Sequence, residues 1–132
     1  MAKKLHPWHR IAPEDVVVFV ELEGFTDDWQ RLRLSDDDLH ALQLAIMAKP
    51  KSAPVVAGTG RLRKIRYAPL KSGKGKSGGA RVCYVYFEEY SVTLLVLAYP
   101  KNEKDDLSNS EKKTIRKLIE EIEQEFAKGY RK

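Results

Sequence analysis

The residues VVVFVEL, Val16 to Leu22, are β-branched, aromatic and apolar, which favours a first strand that Gly24 closes. A short helical piece is expected from about Thr26 to Arg33, and a stronger helix begins after Ser35. The Ser35 hydroxyl can accept from the orphan N–H groups of the first turn, while Asp36, Asp37 and Asp38 complement the positive end of the helix. Leu39, Leu42 and Ile46 then recur at helical spacing as a buried stripe, and Pro50 stops the run. The stretch KPKSAPVVAGTG reads as a connection ended by Gly58 and Gly60.

Three strands follow, over about Arg61 to Tyr67, Arg81 to Glu88 and Val92 to Tyr99. Only EYS separates the last two, a hairpin-length gap that pairs them antiparallel. The third, SVTLLVLAY, is apolar at nearly every position, as a central strand covered on both faces would be. Ser108 and Glu111 have capping-box spacing at the head of a final helix, whose Ile115, Leu118, Ile119, Ile122 and Phe126 share one face and whose end Gly129 suits. The expected fold class is α+β: an N-terminal strand and helices packed on a small twisted antiparallel sheet, with a C-terminal helix.

At 132 residues, 42% hydrophobic and 33% charged, the chain suits one globular domain. That domain is expected over 13–128, with 1–12 as a leader or arm and 129–132 as a tail. No apolar run approaches the roughly 20 residues of a membrane span, and MAKKLHPWHRIAPED lacks an apolar core of signal-peptide length. One cysteine, Cys83, excludes an internal disulfide and fits a reducing, cytoplasmic setting. His6 and His9 find no third ligand at suitable spacing, so neither a metal nor a cofactor is expected.

Charge changes the picture more than composition does. The formal charge of +5 is modest, but Arg61, Arg63, Lys64, Arg66, Lys71, Lys74, Lys76 and Arg81 follow one another without a carboxylate. Such clustering points to a polyanion. The KSGKGKSGGA segment within it is not a phosphate-binding P-loop, because Leu70 stands where the pattern needs glycine and RVCYVYFEE continues as a strand, not a helix. Strand alternation puts Lys64 and Arg66 on one face and Arg63, Ile65 and Tyr67 on the other; Arg81, Cys83 and Val85 alternate with Val82, Tyr84 and Tyr86. Paired, the two strands bring Lys64, Arg66 and Arg81 together on one exposed surface. Tyr84 and Tyr86 read as core, and Cys83 as a small strand residue.

In three runs, AGTGRLRKIRYAP, GKGKSGGARVCYVYF and LLVLAYPKNEKDDLSNSEKKTIRKLIEEI, the chain resembles the RelE/HigB-type toxins of bacterial toxin–antitoxin pairs, most of all the HigB branch. The resemblance covers about Val16 to Glu125. It implies a small ribosome-dependent endoribonuclease that cuts messenger RNA, with ribosomal RNA as a further partner, no membrane, and neutralisation by a cognate, HigA-like helix-turn-helix antitoxin. It carries catalytic positions onto Lys64 and Arg66, onto Arg81, and onto Lys101, Asn102 and Lys104 in the turn after the last strand. Arg61, Arg63, Lys71, Lys74 and Lys76 are then RNA-binding candidates. The pattern departs from RelE in one respect: DDLSNS has no tyrosine where RelE has a catalytic one, and Tyr130 lies too far along to replace it.

Cleavage by the RNA's own 2′-hydroxyl needs a base, a stabiliser of phosphorane charge and a proton for the departing 5′-oxygen. No histidine falls in the basic segment. Lys64, set among Arg63, Arg66 and Arg81, is the candidate base because like charges disfavour the protonated form. Arg66 and Arg81 have the fork geometry that matches phosphate oxygens. A ParE-like gyrase inhibitor, a non-catalytic nucleic-acid-binding module and an inactive toxin with the same fold remain as alternatives.

Overall fold

The computed structural model describes residues 17–70, 79–104 and 106–129. A four-stranded sheet runs in the order β1-β4-β3-β2, with β1 at Val18–Glu21, β2 at Arg63–Tyr67, β3 at Ala80–Phe87 and β4 at Val92–Pro100. Helices α1 (Glu23–Arg31), α2 (Asp36–Ala48) and α3 (Asn109–Gly129) complete an α+β fold in the expected order. The sheet is mixed, not wholly antiparallel: β1 runs parallel to β4, with Val18 opposite Val92. Parallel neighbours need a long crossover, and α1, α2 and the β2–β3 pair supply it.

Both faces of β4 are covered. On one, Val92, Leu94, Val96 and Tyr99 join Cys83, Val85 and Phe87 against Ile115 and Ile119 of α3. On the other, Leu95 and Ala98 join Val82, Tyr84 and Tyr67 against Phe25 and Trp29 of α1 and Leu42 and Ile46 of α2. Each large side chain buried this way contributes about 1.5–3 kcal/mol. The alternation along β4 breaks once: Cys83 faces Leu97 and Tyr84 faces Leu95, so Val96 is an extra residue in a bulge. That insertion turns Tyr99 to the α3 face, opposite Arg81.

The starts of α2 and α3 are those the sequence announces, whereas α1 begins at Glu23, before the expected Thr26, and takes in Gly24, which was expected to close β1. Ser35 Oγ accepts from Asp38 N at 3.0 Å and Asp38 Oδ2 accepts from Ser35 N at 3.0 Å. At α3, Ser108 N donates to Glu111 Oε1 at 2.8 Å and Glu111 N to Ser108 Oγ at 3.1 Å. Gly58 and Gly60, both at φ 86, take the left-handed turns that let the connection fold back along β2. There Lys64 N donates to Pro54 O at 3.1 Å. No described helix is long and apolar enough to cross a membrane. His6, His9, Tyr130 and the lysine-rich loop lie outside the described residues.

Candidate nucleic-acid interface

In the β2–β3 register Lys64 stands opposite Cys83 and Arg66 opposite Arg81. Directly paired residues share a face, so Lys64, Arg66 and Arg81 do meet on one side, the side that carries α3. With Lys101 they line a cleft of about 480 Å³, whose remaining wall is Ser52, Ala53, Pro54 and Ile65. The expectation of a uniformly exposed surface needs correction. Arg66 is exposed, but Arg81 is only 7% exposed, and its Nη1 has no hydrogen-bond partner among the described residues. The Tyr99 hydroxyl across the strand pair is likewise buried and without a partner among them. Burial, assisted by Cys83 and Asp106 and opposed by Arg81, pushes Tyr99 up to about 12.

The basic segment contains no carboxylate, yet folding brings acids both to it and to the turn after β4. Asp106 stands 3.7 Å from Lys64 Nζ and 3.3 Å from Lys112 Nζ, and its Oδ1 accepts from Leu107 N at 2.8 Å. The Leu107 N–H, then Lys112 and Lys64, hold Asp106 below the usual carboxylate range against some desolvation. Lys104 Nζ lies 2.8 Å from Glu111 Oε2 and 5.0 Å from the centre of the Tyr99 ring. Its hydrogen bond, followed by the Ser108 N–H, depresses Glu111 too. The wholly cationic surroundings expected for Lys64 are therefore not what the fold builds: the turn after β4 brings an acid to its ammonium. Cys83, beneath Lys64, is fully buried and pushed up to about 12 by that burial, which suits a packing residue and not a nucleophile.

Two arginines are not brought to the cleft. The Arg61 guanidinium is bonded to Glu123, donates to Tyr86 O at 3.0 Å and to Glu89 Oε1 at 3.4 Å, and lies 4.9 Å from the Phe87 ring centre. Arg63 donates to Lys51 O at 2.9 Å and Ala53 O at 2.6 Å, which holds the segment forming the cleft wall. Asn102 is exposed in the turn after β4, where Glu103 N donates to Pro100 O at 3.1 Å and the Glu103 carboxylate meets Arg31 at 3.3 Å. Lys71, Lys74 and Lys76 lie outside the described residues.

Asp106, Glu111, Lys112 and the Ser52–Pro54 wall escaped the sequence reading. Glu111 was visible only as half of a helix cap, and nothing in the spacing of Asp106 ties it to Lys64. Among the described residues no group of three or more His, Cys, Asp or Glu is placed to hold a metal.

No protein-family model matches the chain. Among solved structures, a double mutant of the Escherichia coli toxin RelE in the free state is similar to it, with a TM-score of 0.47 and 17% identity, over 68% of this chain and 88% of that one.

Proposed function

We propose that this chain is an endoribonuclease toxin of the RelE/HigB type, acting on messenger RNA in the ribosome and restrained by a cognate antitoxin of the HigA-like, helix-turn-helix kind. The observation that carries the reading is Arg81. An ionised guanidinium buried without a full set of partners costs several kcal/mol, and an anion in the adjoining cleft offsets that cost. A phosphodiester offers two oxygens to its fork, and Arg66 across the strand pair adds a second, exposed fork. The three sequence runs quoted above supply the nuclease part of the proposal.

In the proposed reaction the 2′-oxygen attacks the adjacent phosphorus as the P–O5′ bond breaks, leaving a 2′,3′-cyclic phosphate and a free 5′-hydroxyl. Lys64, once neutral, takes the 2′-hydroxyl proton; Arg81 and Arg66 stabilise charge on the phosphorane; Lys101, at the cleft, returns a proton to the departing 5′-oxygen. Lys104, tied to Glu111, and Asn102 in the same turn support this edge of the site. A non-catalytic nucleic-acid-binding module is the second reading, favoured by the Lys64–Asp106 contact, because a lysine engaged by a carboxylate is a phosphate ligand before it is a base.

The test is induced expression of the wild type and of Lys64→Ala/Arg81→Ala, following growth and mapping messenger RNA 5′ ends by primer extension. Growth arrest with new in-frame cuts, both absent in the double variant, is the expected result. Arrest without cuts rejects the nuclease and favours gyrase inhibition or simple binding.

A further inference from the structure

The charges of α3 are segregated along its interior turns. Lys112, Lys113, Arg116 and Lys117 fill its N-terminal half, and Glu120, Glu121, Glu123 and Glu125 its C-terminal half. Glu111 in the first turn and Lys128 in the last suit the macrodipole, so the unfavourable terms lie between them. Lys112/Arg116 and Lys113/Lys117 are like charges at i,i+4, and Arg116–Glu120, at 3.4 Å, has the less favourable orientation of such a pair. The two like-charge pairs are a local cost inside the helix, and a polyanion lying along this basic stretch would offset it.

There is room for one. Lys112, Lys113 and Arg116 line, with Ala57, Gly58 and Asn109, a groove of about 480 Å³ between the β2-side connection and the start of α3. The groove connects to the cleft through a chain of charges, Lys64 to Asp106 at 3.7 Å and Asp106 to Lys112 at 3.3 Å. Asp106 is thus an exposed carboxylate standing between two cationic sites, one of which ends in the buried Nη1 of Arg81, unpartnered among the described residues.

We propose that a single RNA strand seated in the Arg81 cleft continues past Asp106 into this groove, where Lys113 and Arg116 take the phosphates of flanking nucleotides. The groove is a second phosphate subsite that lengthens the footprint without taking part in cleavage. The proposal rests on RNA being the ligand of the cleft, but not on the chain cutting it.

The test uses the full chain and fluorescein-labelled single-stranded RNAs of 4 and 12 nucleotides carrying 2′-O-methyl groups, so that no cleavage intervenes. Binding is read by anisotropy over a series of salt concentrations. Each phosphate contact on a single strand contributes about 0.7 to the slope of log K against log salt. Lys113→Ala/Arg116→Ala should lower the slope for the 12-mer by about 1.4, leave the 4-mer unchanged, and leave the unfolding midpoint no lower than that of the wild type, since it removes both like-charge pairs. An equal slope for both proteins on the 12-mer, an equal loss on both RNAs, or no binding of the 12-mer at all overturns the subsite; the first would assign the basic half of α3 to an acidic protein partner. Wild-type slopes as expected, alongside intact messenger RNA in induced cells, would uphold the subsite and sink the nuclease instead.

Discussion

Arg81 and Asp38 are two buried charges with opposite fates. Asp38 is 7% exposed and fully engaged: Tyr67 Oη donates to it at 2.6 Å, Leu70 N at 2.9 Å, and Ser35 N and Oγ at 3.0 Å each. Burial pushes Asp38 up, but these hydrogen bonds, led by Tyr67, outweigh it and hold the carboxyl at about 2. A depressed carboxyl stabilises the fold above its unfolded pKa near 3.8, and that contribution is lost as pH falls through about 2. Asp38→Asn should therefore cost about 2 kcal/mol at pH 7, with the gap between variant and wild type closing below pH 4 in urea titrations. Arg81, with an unpaired nitrogen, predicts the reverse balance. Arg81→Met, which keeps the packing of the stem, should leave stability unchanged or raise it and, on the proposed function, lower RNA cleavage about 100- to 1000-fold; a destabilised Arg81→Met protein would contradict the orphaned charge. The Ser35 cap was legible because it is local. The Tyr67 and Leu70 contacts were not, because they join residues some thirty positions apart.

Strands and helices were largely legible, since alternation in RVCYVYF and helical spacing in Ile115, Ile119, Ile122 and Phe126 are properties of neighbouring residues. Their joints were not. The bulge at Val96 reverses the parity of β4 and decides that Tyr99 meets Arg81, yet valine at that position carries no mark of it. Gly79 is a second joint. A Cβ there would lie 2.3 Å from the Tyr67 carbonyl oxygen, so the ends of β2 and β3 approach as closely as they do only because the residue has no side chain. Gly79→Ala should push the strand ends apart beside the Arg66–Arg81 pair, costing about 1–3 kcal/mol in thermal or urea unfolding and weakening RNA binding with it. Ser108→Ala, which removes the acceptor for Glu111 N and the hydroxyl beside the Glu111 carboxylate, should cost about 1 kcal/mol and leave RNA affinity unchanged.

At the scale of the molecule the cleft offers cations and an apolar wall, and among the described residues none that lines it is aromatic. A strand held there by phosphate contacts finds no stacking platform among the described lining residues to fix the base beside the scissile bond. On the proposed function, cleavage of free RNA should thus be at least about 100-fold slower than cleavage of messenger RNA threaded through ribosomes, measured as product formed per minute on one labelled transcript with and without them. Comparable rates on both would show that the protein alone aligns the substrate. The sequence by itself determined the elements, their order, the helix caps and the concentration of positive charge, because propensity, periodicity and capping act over a few residues. Only the tertiary structure decided that β1 joins β4 in parallel, that Arg81 is buried while Arg66 is exposed, that Arg61 and Arg63 are bound to protein groups instead of facing the cleft, and that Asp106 reaches Lys64. Those outcomes depend on strand register, on one inserted residue in β4 and on groups brought together from distant parts of the chain, and no local pattern encodes such distances.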